Sequence, residues 1–148
     1  MTREERLQPV ADLARSREDQ AAVAMAQQRR SLEEQQRSLA ELQQFEREYT
    51  ERFQAISRTG ISVQRLNEYR RFADKLREAI LQQSRVVDDS RRRLEALSRC
   101  WSEASSHRQA IDKTIDRFHD QTVRKAARKE QREADDRAQR LGSTIAED

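Results

Sequence analysis

Proline is absent after Pro9, so nothing along the rest of the chain withdraws a backbone donor or forces a helix to break. There are two glycines, Gly60 inside the chain and Gly142 near its end, which leaves few places for tight turns. The single cysteine, Cys100, has no partner for an internal disulfide, as expected of a reducing compartment. No apolar run is long enough to span a bilayer. The opening Met1-Thr2-Arg3-Glu4-Glu5-Arg6 mixes charges where a secretory leader would carry an apolar stretch, so a cytoplasmic location is expected. A glycine-rich phosphate loop, a nucleophile elbow and a metal-spaced carboxylate cluster are also missing. His107 and His119 are the only other soft ligands, and Cys100 lies two helical turns from His107, too far to share an ion. No catalytic site, metal or cofactor is expected.

Apolar residues make up only 34% of the 148 residues, too few for a compact globular core to offset the entropy of ordering the chain. Charged residues reach 39%, yet 30 Lys and Arg stand against 27 Asp and Glu, a net charge of only +3. The two signs are interspersed almost everywhere, as on the solvated faces of long helices. A nucleic-acid binder would instead show a one-sided basic stripe. Clusters such as Arg29-Arg30, Arg70-Arg71 and Arg91-Arg92-Arg93 read as solvated surface.

What the chain does have is a seam. Leu66, Ala73, Ile80, Val87, Leu94, Trp101 and Ile115 share one seven-residue spacing, broken by Arg108. Tyr69, Leu76, Leu97, Ala104, Ile111 and Phe118 share a second, three residues later, broken by Gln83 and Ser90. This a/d register persists over about seven heptads and predicts a coiled coil, with Trp101 in its core. A weaker seam precedes it. Met25, Leu32, Leu39 and Phe53 are interrupted by Glu46, and Leu7, Ala14, Ala21, Leu42, Tyr49 and Ile56 by Gln28 and Gln35. Polar seam residues cost stability and set register.

Between the seams lies Ser57-Arg58-Thr59-Gly60-Ile61-Ser62, where Gly60 can take the left-handed conformation that ends one helix and Ser62 can cap the next. The predicted fold is all-α: a long antiparallel two-helix coiled-coil hairpin, a single unit over 1–148. Helix 1 is expected over about 8–57 with Pro9 in its first turn, a turn at 58–61, and a longer helix 2 over about 62–135. At 1.5 Å per residue the arms would measure about 75 and about 110 Å. Large apolar side chains nearly vanish after Val123, so the overhang, with 136–148 as its tail, is expected to fray when free and order on a partner.

Two surfaces invite partners. Phe45, Tyr49, Phe53, Tyr69 and Phe72 are five of the seven aromatic residues and would converge near the turn. Phe45 and Phe72 fall just off the seam, with Ala79 on the same side, where two helices cannot fully cover them. Such an edge suits a hetero-partner or self-association. Arg124, Lys125, Arg128, Lys129 and Arg132 gather with Glu130 as the one acid among them, a cluster suited to an acidic partner.

The stretch Leu42, Phe45, Tyr49, Gly60-Ile61-Ser62, Arg65, Tyr69, Phe72, Leu76, Ala79-Ile80 and Trp101 resembles the FliJ family of the bacterial flagellar type III export apparatus, over nearly the whole chain. The resemblance implies a stalk-like coiled coil that binds the hexameric export ATPase (FliI-like) through its paired termini. It also implies contact with the cytoplasmic region of the export gate membrane protein (FlhA-like) and with export chaperones. The protein would then be cytoplasmic, peripherally held at the inner membrane through the apparatus. Carried over by position, the gate contact corresponds to Leu42, Phe45, Tyr49, Phe72, Leu76 and Ala79, while Ser38 and Gln83 depart from the family's usual residues. Leu42, Tyr49 and Leu76 also fall on the seam spacing. The 124–132 cluster and the N-terminal turn would then meet the ATPase ring. The equivalent stalk of a virulence type III secretion system and a homo-oligomeric coiled-coil scaffold remain open alternatives.

Overall fold

A computed structural model describes residues 1–147. Two helices account for nearly all of them: α1 over Arg3–Ser57 and α2 over Val63–Glu147. They fold back on each other as an antiparallel coiled-coil hairpin, with α2 the longer arm.

α1 begins earlier than Pro9 suggests. Thr2 Oγ1 accepts a hydrogen bond from the Glu5 amide at 3.1 Å, and the Thr2 amide donates to Glu5 Oε2 at 3.0 Å. This reciprocal capping box satisfies donors that a helix start leaves orphaned, and Glu4 and Glu5 complement the positive end of the helix dipole. Pro9 therefore lies inside α1, where it forgoes one backbone hydrogen bond. α2 also runs past its expected end near residue 135, and the tail from 136, expected to fray, is helical to Glu147. Ala, Arg, Lys, Gln and Glu dominate the preceding 124–134 and favour the helix without packing. Gln131 donates to Asp135 at 3.1 Å along the same face. Asp148 lies outside the described residues.

The turn follows its glycine. The Thr59 amide donates to the Ile56 carbonyl and the Gly60 amide to the Ser57 carbonyl, both at 3.2 Å, closing α1. Gly60 has φ of +93°, a left-handed conformation costly for a residue with a Cβ. Ser62 then caps α2, its Oγ accepting from the Arg65 amide at 3.2 Å. A Cβ at Gly60 would meet no atom within 4 Å, so the cost of Gly60→Ala is conformational alone. A loss of about 1–2 kcal/mol is expected from a denaturant midpoint at unchanged slope.

Contacts group the chain into two compact units: Gln20–Ser102, and Met1–Asp19 together with the chain from Glu103 onward. In the Gln20–Ser102 unit, Leu32, Leu76 and Val87 are buried. The polar seam residues, expected to cost stability and to set register, find each other across the pairing. Gln28 Nε2 donates to Ser90 Oγ at 2.8 Å and to the Ser90 carbonyl at 3.2 Å. Gln83 Nε2 donates to Gln35 Oε1 at 2.8 Å and to the Gln35 carbonyl at 3.0 Å. The two pairs lie one heptad apart on both arms, so a register slip would unpair both at once. Gln83→Leu alone strands the Gln35 amide and is expected to cost about 1 kcal/mol, whereas Gln35→Leu with Gln83→Leu recovers that loss. A double-mutant cycle of urea melts measures the coupling.

Trp101 departs from its seam assignment. It is 36% exposed rather than in the core, because the buried seam positions hold Ala, Ser, Val and Leu and two helices cannot enclose an indole. Ile56, also assigned to the seam, is 49% exposed beside the turn.

Candidate interaction surfaces

In the Gln20–Ser102 unit the five aromatics near the turn form a ladder that alternates between the helices. Phe53 and Tyr69 stack with centroids 3.6 Å apart, Tyr69 stacks on Tyr49 at 5.1 Å, and Tyr49 meets Phe72 at 4.6 Å. Phe72 then meets Phe45 edge-on at 6.0 Å. Each such pair adds about 0.5–1.5 kcal/mol beyond its buried area. The ladder holds this part of the hairpin rigid and delivers its last two rungs to the surface. Phe45 is 45% and Phe72 39% exposed.

The six positions carried over as a gate contact do not share one environment. Phe45 and Phe72 are exposed, Leu42, Tyr49 and Ala79 are half-buried, and Leu76 is buried at 7% in the seam. The same side of the hairpin continues toward the turn as an open cleft of about 320 Å³, with Tyr49, Phe53 and Tyr69 as its aromatic wall and Ile56 and Ile61 beside them. Nothing in the heptad spacing marks this cleft. Ile61 lies in the turn and Ile56 had been assigned to the seam. An arginine count around Gly60 would have been the available signal.

The other unit sets a half-buried ion cluster beside small buried side chains. Ala11 and Ala14 are buried and bring the helices close. Beside them, Arg108, a seam interruption in sequence, sends Nε to Glu18 Oε2 at 2.7 Å and Nη1 to Asp112 Oδ2 at 2.9 Å. Arg15 reaches Asp112 from α1 at 3.5 Å. The hydrogen bond from Arg108 holds the Glu18 carboxyl below its ordinary range, against a smaller opposing effect of burial and with help from Ser105. Its hydrogen bonds to Glu18 and Asp112 raise Arg108 above its ordinary value. A depressed carboxylate stabilises the fold above its unfolded pKa of about 4.3, and that contribution disappears as pH falls through the folded value. Glu18→Gln is therefore expected to melt at lower temperature than the parent at pH 7. The gap should close as pH drops below about 4, followed by circular dichroism.

Near the start of α1, Glu4 accepts from Thr122 at 3.0 Å and lies 3.3 Å from His119, while Arg3 sits over the Phe118 ring at 5.5 Å. Beyond these contacts the described α2 surface is exposed. Lys125, Lys129 and Arg132 follow Phe118 and Thr122 at alternating three- and four-residue steps, so they occupy the face that the seam would use. Arg124 and Arg128 flank them. None of the five enters an ion pair among the described residues. Cys100 is exposed, and no group of three metal-ligating side chains occurs among the described residues.

The aromatic edge and the cleft are faces of paired helices and the cationic face belongs to α2 beyond its contacts with α1, which defines a coiled-coil protein. No helix among the described residues is long and apolar enough to cross a membrane. The sequence profile described as "Flagellar FliJ protein" matches residues 3–145, and the chain belongs to the FliJ family of flagellar export-associated coiled-coil proteins. No curated protein and no solved structure gives a match.

Proposed function

We propose that the protein is the stalk of the flagellar export apparatus, joining the export ATPase ring to the export gate and receiving export chaperones. The observation that carries this reading is membership of the FliJ family over residues 3–145, in a chain with two exposed and chemically distinct surfaces. The aromatic edge at Phe45 and Phe72, with Leu42, Tyr49 and Ala79 half-buried beside it, meets the cytoplasmic region of the gate. Leu76, buried in the seam, completes the carried-over set and supports that edge from beneath. The cationic face of Arg124, Lys125, Arg128, Lys129 and Arg132 enters the ATPase ring, where unpaired guanidinium and ammonium groups steer toward carboxylates. Association with the inner membrane is then peripheral, through the gate.

The test is the hydrolysis rate of the export ATPase with and without the protein. The parent chain stimulates hydrolysis. The charge-reversed variant Lys125→Glu, Lys129→Glu, Arg132→Glu fails to stimulate but still pulls down the gate's cytoplasmic region. Stimulation that survives the reversal would place the ATPase contact elsewhere, and no stimulation by the parent would remove the stalk reading.

A further inference from the structure

The cleft beside the turn combines an apolar floor with a cationic rim. Phe53 and Tyr69, stacked 3.6 Å apart, give a flat floor already fixed by the ladder. Ile56, half exposed, and Ile61 extend it. Arg52 and Arg65 stand at its edge, one from each helix, and outnumber Glu68, the one carboxylate in the lining. Neither guanidinium enters an ion pair among the described residues. From Arg52 to Arg71 the chain carries five arginines against a single carboxylate, Glu68, although the whole protein is almost balanced. A volume of about 320 Å³ has room for one or two apolar side chains.

We infer that this cleft is a docking site for an acidic polypeptide segment carrying a large apolar anchor: the anchor lies on Phe53 and Tyr69, and flanking carboxylates pair with Arg52 and Arg65. Guanidiniums at the rim of an apolar floor recognise carboxylates with directional, charge-assisted bonds, and desolvation by the anchor strengthens them. A cleft with an apolar floor between two helices favours a peptide over an anionic lipid surface, which would reward a flat basic face. The site holds whether or not the Phe45–Phe72 edge meets the export gate.

The test is fluorescence anisotropy of the full chain with a short fluorescein-labelled peptide of Glu and Asp around a central Leu-Phe pair. A companion peptide has Ser-Ser at the centre. The Leu-Phe peptide binds with micromolar affinity, and the Ser-Ser peptide binds about tenfold more weakly or worse. Arg52→Glu with Arg65→Glu weakens the Leu-Phe peptide by about tenfold or more, with helical circular dichroism retained. Should that variant lose its fold, Ile56→Asp, at an exposed position, must show the same loss. Phe45→Ala with Phe72→Ala leaves peptide binding within about twofold, which separates this site from the proposed gate contact. Three results would overturn the inference: no binding of the Leu-Phe peptide, equal binding of both peptides, or binding only to phosphatidylglycerol vesicles.

Discussion

Leu76→Ala is expected to destabilise the Gln20–Ser102 unit by about 2–4 kcal/mol, the cost of a buried leucine together with the cavity it leaves. Only Leu32, Leu76 and Val87 are buried apolar residues in this unit, so little else can collapse into the gap. Marginally stable proteins hold about 5–15 kcal/mol in total, and a loss of this size should lower the urea midpoint sharply. Any weakening of gate binding by Leu76→Ala should then disappear once the variant is held fully folded, for example at low temperature. Binding that stays weak in the folded variant would mean the leucine contacts the partner after all.

Phe45→Ala with Phe72→Ala makes the contrasting case. Both rings are exposed at the end of the aromatic ladder, so their loss removes edge contacts rather than core. Solvent-exposed aromatics that become buried in an interface are typical anchors, each worth about 1–2 kcal/mol. The double variant is therefore expected to bind the cytoplasmic region of the export gate at least about 30-fold more weakly by titration calorimetry. Its melting temperature falls less than that of Leu76→Ala, because Tyr49 and Tyr69 keep their stack. Unchanged affinity in this variant would move the gate contact away from the aromatic edge.

The periodicity that predicts the hairpin is legible because a coiled coil repeats one local rule along its length. Val87 and Leu76, each read as a seam residue, are both buried, and Gly60 takes the positive φ that its place between two seams requires. What spacing alone does not reveal is how interruptions pair. Gln28, Gln35, Gln83 and Ser90 read singly as interruptions that cost stability and set register, and each satisfies another across the hairpin, because pairing depends on the register of the opposite arm. Arg108 follows the same logic through Glu18 and Asp112. Helix ends were misplaced for a different reason. Pro9 is the more conspicuous residue, but the Thr2–Glu5 box decides where α1 starts. For the carried-over patch the repeat already separates Leu76, on the seam and buried, from Phe45 and Phe72, off the seam and exposed; what it does not show is the stacking of the aromatics across the two arms.

The pairing of the two arms is tested most directly by distances between spin labels at exposed positions that flank the polar pairs: Arg37 with Leu81, and Arg30 with Asp88. Arg37 and Leu81 lie two residues from Gln35 and Gln83 on their respective arms, and the second pair repeats the geometry one heptad away. Both pairs should report the separation of adjacent helices, with axes about 8–10 Å apart plus the reach of the labels. That distance should persist when labelled protein is diluted into unlabelled protein. Long separations, or short ones that vanish on dilution, would contradict an antiparallel hairpin formed within one chain.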